Sequence, residues 1–188
     1  MALEKTIDVL GIGNAIIDVL ADADDAFLLQ HNLNKGSMTL VDEVASSNIY
    51  SSMKNKIQMS GGSAANTIYG LAQLGCRSAF IGKRSNDELG NIFYSDLTKS
   101  EIIFNTSPLD TGESSARCLI LVTSDAERTM ATFLGSSSKL KVEDINEDEI
   151  EAAKIIYLEG YLFDPPEAQE AFITAAEFAK KHNTKVSF

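Results

Sequence analysis

The chain has 188 residues, of which 44 % are hydrophobic and 23 % charged, and its formal net charge is −11. That length is enough for a full hydrophobic core, and the balance is that of an ordinary globular protein rather than a disordered one. The negative field opposes a polyanion, so nucleic acid is not an expected partner; the apolar runs are far too short to span a bilayer.

The first residues, Met1-Ala2-Leu3-Glu4-Lys5, carry no apolar stretch of signal-peptide length. The expectation is a cytoplasmic protein with no membrane partner. Ile7-Asp8-Val9-Leu10-Gly11-Ile12-Gly13 reads as a buried strand running into a glycine turn. The run continues Asn14-Ala15-Ile16, and a dinucleotide fingerprint would need glycine where Ile16 stands. A P-loop motif is absent as well. Asp18 follows, near the expected carboxyl end of that strand. A carboxylate there is either a loop or cap residue, or an acceptor for two vicinal hydroxyls.

Asp42 to Ile57 is predicted helical, with Val44, Ile49 and Met53 at helical spacing. A second helix is predicted over Ser63 to Leu74, closed by Gly75. Its entry, Gly61-Gly62-Ser63-Ala64-Ala65-Asn66, is the most informative stretch of the chain. Two glycines let the backbone approach a ligand without a Cβ in the way. The helix N-terminus adds free N–H groups and a positive dipole end. Asn66, one turn in, can both donate and accept. The competing reading is a glycine turn before a closely packed, alanine-rich helix.

Arg77 to Gly82 is predicted as a strand, and Asp87 to Lys99 as a helix with Leu89, Ile92, Phe93 and Leu97 on one face. Lys83 and Arg84 between them read as solvated charges or phosphate contacts. Ala116 to Thr123 and Arg128 to Leu134 form a hairpin pattern around Ser124-Asp125-Ala126-Glu127. Val142 to Ala153 then reads as a helix, Lys154 to Glu159 as a strand, Pro165 to His182 as a helix and Thr184 to Phe188 as a strand. Such alternation implies a parallel sheet covered by helices on both faces, with ligands beyond the carboxyl ends of the strands. Cys76 and Cys118 are expected as buried thiols, no catalytic role is expected for His31 or His182, and no metal site is expected.

Three patterns occur in order: Gly13-Asn14…Asp18, then Gly61-Gly62-Ser63-Ala64-Ala65-Asn66, then Ile81-Gly82-Lys83…Asn86-Asp87…Gly90. Together they resemble the ribokinase-like (PfkB) family of carbohydrate and nucleoside kinases. The resemblance implies an α/β fold, a doubly wound, mostly parallel sheet with a small β lid. Residues 1–188 are then a partial kinase domain whose C-terminal part is missing, with lid strands inserted at about 18–42 and 111–135.

By the same resemblance, the activity is transfer of the γ-phosphoryl of ATP, with Mg2+, to a primary hydroxyl of a nucleoside or sugar. Asn14, Asp18, Gly61, Gly62, Ser63 and Asn66 become acceptor-binding residues. No catalytic residue is expected in this chain, because the family's base lies in a later G-A-G-D motif that the sequence lacks. The N-x-x-E motif linked to magnesium is expected to be absent too, and the ATP and Mg2+ contacts to lie mainly in the missing half. Thr111-Gly112-Glu113-Ser114 with Arg128 to Leu134 looks most like the adenosine kinase branch. That likeness puts Arg128 toward phosphates, Met130 and Thr132 beside the purine, and Ile16, Met38 and Leu40 in the rest of an apolar base slot. Two alternatives stay open: a simple sugar kinase acting on ribose or a ketose, and a non-catalytic half-protein that holds a sugar or nucleoside. An apolar lid with free edges also suggests a homodimer through the lid.

Overall fold

A computed structural model describes residues 5–188. In chain order its elements are β1 (Ile7–Ile12), β2 (Ile16–Asp22), α1 (Asp25–Gln30), β3 (Met38–Leu40), α2 (Glu43–Ser52), β4 (Ile57–Gly61), α3 (Ser63–Gln73), β5 (Ser78–Ile81), α4 (Glu88–Lys99), β6 (Ala116–Val122), β7 (Arg128–Phe133), α5 (Glu147–Ala152), β8 (Ala153–Leu158), α6 (Pro166–Lys181) and β9 (Lys185–Ser187). The strands form two sheets.

The first sheet has the order β5-β1-β8-β9 and is parallel throughout. Its residues alternate between two cores, as the period of two along a strand requires. Leu10 and Ile12 of β1, with Ala79 and Ile81 of β5, join one core with α5 and α6. Val9 and Phe80 belong to the other, with Ala64, Ala65 and Ile68 of α3. Helices therefore cover both faces, as the alternation of strands and helices implies.

The second sheet has the order β3-β7-β6-β2-β4 and mixes parallel with antiparallel pairs. Ile17, Val19 and Ala21 of β2, with Leu119 and Leu121 of β6, point into the core shared with α3 and with Phe93 and Leu97 of α4. Ile16, Asp18 and Leu20 alternate with them and are only half-buried. One face of this sheet is thus packed, and the other carries exposed apolar side chains, among them Met38, Leu40, Ile57 and Met59.

Several boundaries differ from the sequence reading. The helix expected over 42–57 stops at Ser52, where Met53 takes an extended conformation, and Ile57–Gly61 becomes the edge strand β4. The helix expected over 142–153 is a 3-10 turn at Val142–Asp144 followed by α5, whose N-cap Asn146 accepts from the N–H groups of Asp148 and Glu149. Asp18 is not at the end of the first strand; it lies in the middle of β2, beyond a turn at Gly13–Ala15. Among the described residues, no helix is long and apolar enough to cross a membrane.

Candidate acceptor site

The carboxyl ends of β1 and β8, the start of β2 and the N-terminus of α3 meet at one point, and the glycines of the motif explain how. Gly62 carries φ +92°, a conformation that side chains disfavour, and a Cβ there would lie 2.6 Å from the carbonyl oxygen of Asn14. A Cβ on Gly61 would overlap the carboxylate of Asp18, and one on Gly13 would overlap the carboxylate of Glu159. Each glycine thus leaves room for a polar group of a neighbouring segment.

Asn14, Asp18, Gly61, Gly62 and Ser63 are brought together by this packing. Asn14 is buried, 2 % exposed, and its amide is oriented from both sides. Its Oδ1 accepts from Ser137 Oγ at 2.9 Å, and its Nδ2 faces Glu159 Oε2 at 3.5 Å. Asp18 has no hydrogen-bond or salt-bridge partner among the described residues, and burial pushes its carboxyl group above the ordinary aspartate range. A half-buried carboxylate with open acceptor sites is chemically able to take hydroxyl donors. Ser63 is exposed and, with Tyr157, Glu159, Gly160 and Tyr161, lines an opening of about 350 Å3. Asn66 lies one turn further along α3, exposed, on a cavity of about 530 Å3 shared with Met59, Ser60, Tyr69, Asp96 and Lys99.

The half-buried face of the second sheet continues the site. Register places Leu40, Thr132, Cys118, Asp18 and Met59 in one row across five strands. The adjacent row is wholly apolar: Met38, Met130, Ile120, Leu20 and Ile57. Met130 is therefore one row from Asp18. Arg128 is not brought into the cluster. It is exposed at the start of β7, opposite Val122 and four residues from Thr132, roughly 13 Å along the strand.

Glu159, which the sequence reading passed over, is the group that ties these segments together. It is 3 % exposed, accepts the Asn14 backbone N–H at 2.5 Å and faces the Ala64 N–H at 3.4 Å. Burial raises its pKa, and hydrogen bonds from Asn14, Ala64 and Ser63 oppose that rise without cancelling it. The signal in the sequence is a lone charge between a buried strand and a glycine, Leu158-Glu159-Gly160.

The N-x-x-E motif expected to be absent does occur once, as Asn146-Glu147-Asp148-Glu149, but its ends have other work. Asn146 caps α5, and Glu149 accepts from Asn105 Nδ2 at 2.8 Å. Among the described residues, no three His, Cys, Asp or Glu side chains converge as a metal site.

Known proteins share this architecture. The pfkB family of carbohydrate kinases matches residues 43–188. Guanosine-inosine kinase of Escherichia coli is 31 % identical over 188 residues, covering 95 % of the chain and 43 % of the relative. An adenosine kinase structure from Sinorhizobium meliloti superposes with a TM-score of 0.86 at 44 % identity, over 96 % of this chain and 55 % of that one. A probable sugar kinase from Rhizobium etli gives 0.87 at 38 %, over 98 % and 56 %. The chain thus spans less than half the length of that curated relative.

Proposed function

The chain belongs to the pfkB family of carbohydrate kinases, and from that premise we propose that it carries the acceptor-binding half of an ATP- and Mg2+-dependent kinase for a nucleoside, adenosine first. The observation that carries this reading is the Asp18 carboxylate, half-buried, without a protein partner and lying against the backbone of Gly61. A cis-diol donates two hydroxyl hydrogens from adjacent carbons, and one carboxylate accepts both. Asn14, Gly62, Ser63 and Asn66 would frame the ring around it. The lid of the family corresponds in this reading to the second sheet.

The apolar row beside Asp18 favours a nucleoside over a simple sugar. A pentose covers the carboxylate and the glycines and leaves Met38, Met130 and Ile120 against water. A purine attached to that pentose covers them, at about 25 cal/mol for each Å2 of apolar surface removed from water. The adenosine and guanosine-inosine kinases among the similar proteins support the same choice. The sugar kinase resemblances keep ribose and ketoses as the second reading.

In this account the chain binds and orients the acceptor; it does not deprotonate the hydroxyl. Positioning is a large share of phosphoryl-transfer catalysis, and the groups that activate the hydroxyl and hold ATP and Mg2+ are proposed to lie in sequence outside the chain. The test is a phosphoryl-transfer assay of the complete kinase against adenosine, ribose and fructose. Turnover led by adenosine supports the reading; no turnover of any nucleoside or sugar removes it.

A further inference from the structure

The first turn of a helix is a natural anion site, because its N–H groups lack intrahelical partners and lie at the positive end of the dipole. At α3 that position is filled from within the chain. The carboxylate of Glu159, 97 % buried by the complement of its 3 % exposure, faces the N–H of Ala64 and takes the N–H of Asn14, and Ser63 contributes its backbone N–H. Gly13 makes the seat possible, since a Cβ there would overlap both the carboxylate and Ala64 Cβ. No lysine, arginine or histidine pairs with Glu159 among the described residues, so its negative charge is answered only by N–H dipoles. Ser63 and Glu159 also share the wall of the opening beside Tyr157 and Tyr161.

We propose that Glu159 is a specificity-determining residue, an internal anion that occupies the N-terminus of α3 and thereby closes the cleft to ligands whose phosphate would sit there. Neutral polyols enter, whereas sugar phosphates and nucleotides are refused at the acceptor position. Asp18, the second unpaired carboxylate of the cleft, adds to the refusal through like charge. What is excluded rests on the acceptor reading above; the seat of Glu159 on the helix does not.

The experiment uses the complete, 15N-labelled kinase that contains this chain and its Glu159→Ala variant, titrated with inorganic phosphate and followed by amide resonances. The variant is expected to show saturable shifts at Ser63 and Ala64, with phosphate bound at least tenfold tighter than by the wild type. Equal phosphate affinity in the two proteins, or shifts confined to other amides, overturns the proposal. Should the variant fold poorly, the wild type supplies a second measurement. Titration of the Glu159 carboxyl is expected to move the Asn14, Ser63 and Ala64 amide protons with one common midpoint, and amide protons indifferent to it overturn the proposal. The phosphate arm judges Glu159; a parallel adenosine titration, followed at Asp18 and Gly61, judges the acceptor reading.

Discussion

Asp18 and Glu159 are buried for different reasons, and stability separates them. Glu159 is held by N–H groups of three residues, Asn14, Ser63 and Ala64, whereas among the described residues Asp18 is held by none. Burial raises the folded-state pKa of Asp18 above its ordinary 3.8. Its contribution to stability is therefore fully present below that value and is lost as pH rises through the folded pKa. Asp18→Asn is accordingly expected to match or exceed the wild type in stability near neutral pH, with the difference closing in acid. Urea denaturation at the two pH values checks this. The same variant should bind adenosine at least tenfold more weakly, since hydrogen bonds to a charged group are worth about 1.5–3 kcal/mol each. A destabilised variant with unchanged affinity would make Asp18 a structural residue.

At the scale of elements, two glycines of α3, one at its N-cap and one within it, have opposite expectations. Gly62 holds φ +92° against the Asn14 carbonyl, so Gly62→Ala should destabilise by about 1–3 kcal/mol. Gly70 lies mid-helix with open space where its Cβ would be, and Gly70→Ala should stabilise by roughly 0.5–1 kcal/mol. Denaturation curves of the two variants, moving in opposite directions, test the backbone description of the site.

The caps of α2 and α4 differ in a related way. Among the described residues the Asp42 side chain accepts only from the Ala45 N–H, whereas Asp87 takes the Gly90 N–H and also the N–H and Oγ of Ser115, just before β6. Asp42→Ala should cost about 1 kcal/mol, an ordinary cap. Asp87→Ala should cost at least twice that, because it also frees the donor pair of the buried Ser115. Thermal denaturation ranks the two.

The elements legible in the sequence are those whose burial is periodic over enough residues. β1, α3, α4, the β6–β7 hairpin, β8 and α6 all qualify. β2 escaped because Asp18 and Asp22 interrupt its apolar pattern on the half-buried face. β4 escaped because its first residue, Ile57, falls four positions after Met53 and so continues the helical spacing of Val44, Ile49 and Met53. At six and three residues, α1 and β3 are too short for a period to show. The site divides the same way. Gly61 to Asn66 is contiguous and reads as a motif. Glu159 meets Asn14 across 145 positions of sequence, a contact that only the parallel pairing of β1 with β8 creates.

At the scale of the molecule, the cleft lies where the two sheets meet, and each supplies a different part. The parallel sheet brings Asn14 and Glu159 to its carboxyl edge, while the second sheet supplies Asp18 and the apolar rows. The central claim is that this junction holds a nucleoside. The most direct measurement is an adenosine titration of the complete, 15N-labelled kinase, with ribose alongside, following the amides of residues 5–188. The account predicts saturable shifts at Asp18, Gly61, Gly62 and Asn66, extending to Met38 and Met130 with adenosine but not with ribose. Adenosine shifts that avoid Asp18 and Gly61, or a response to ribose equal to that for adenosine, would contradict it.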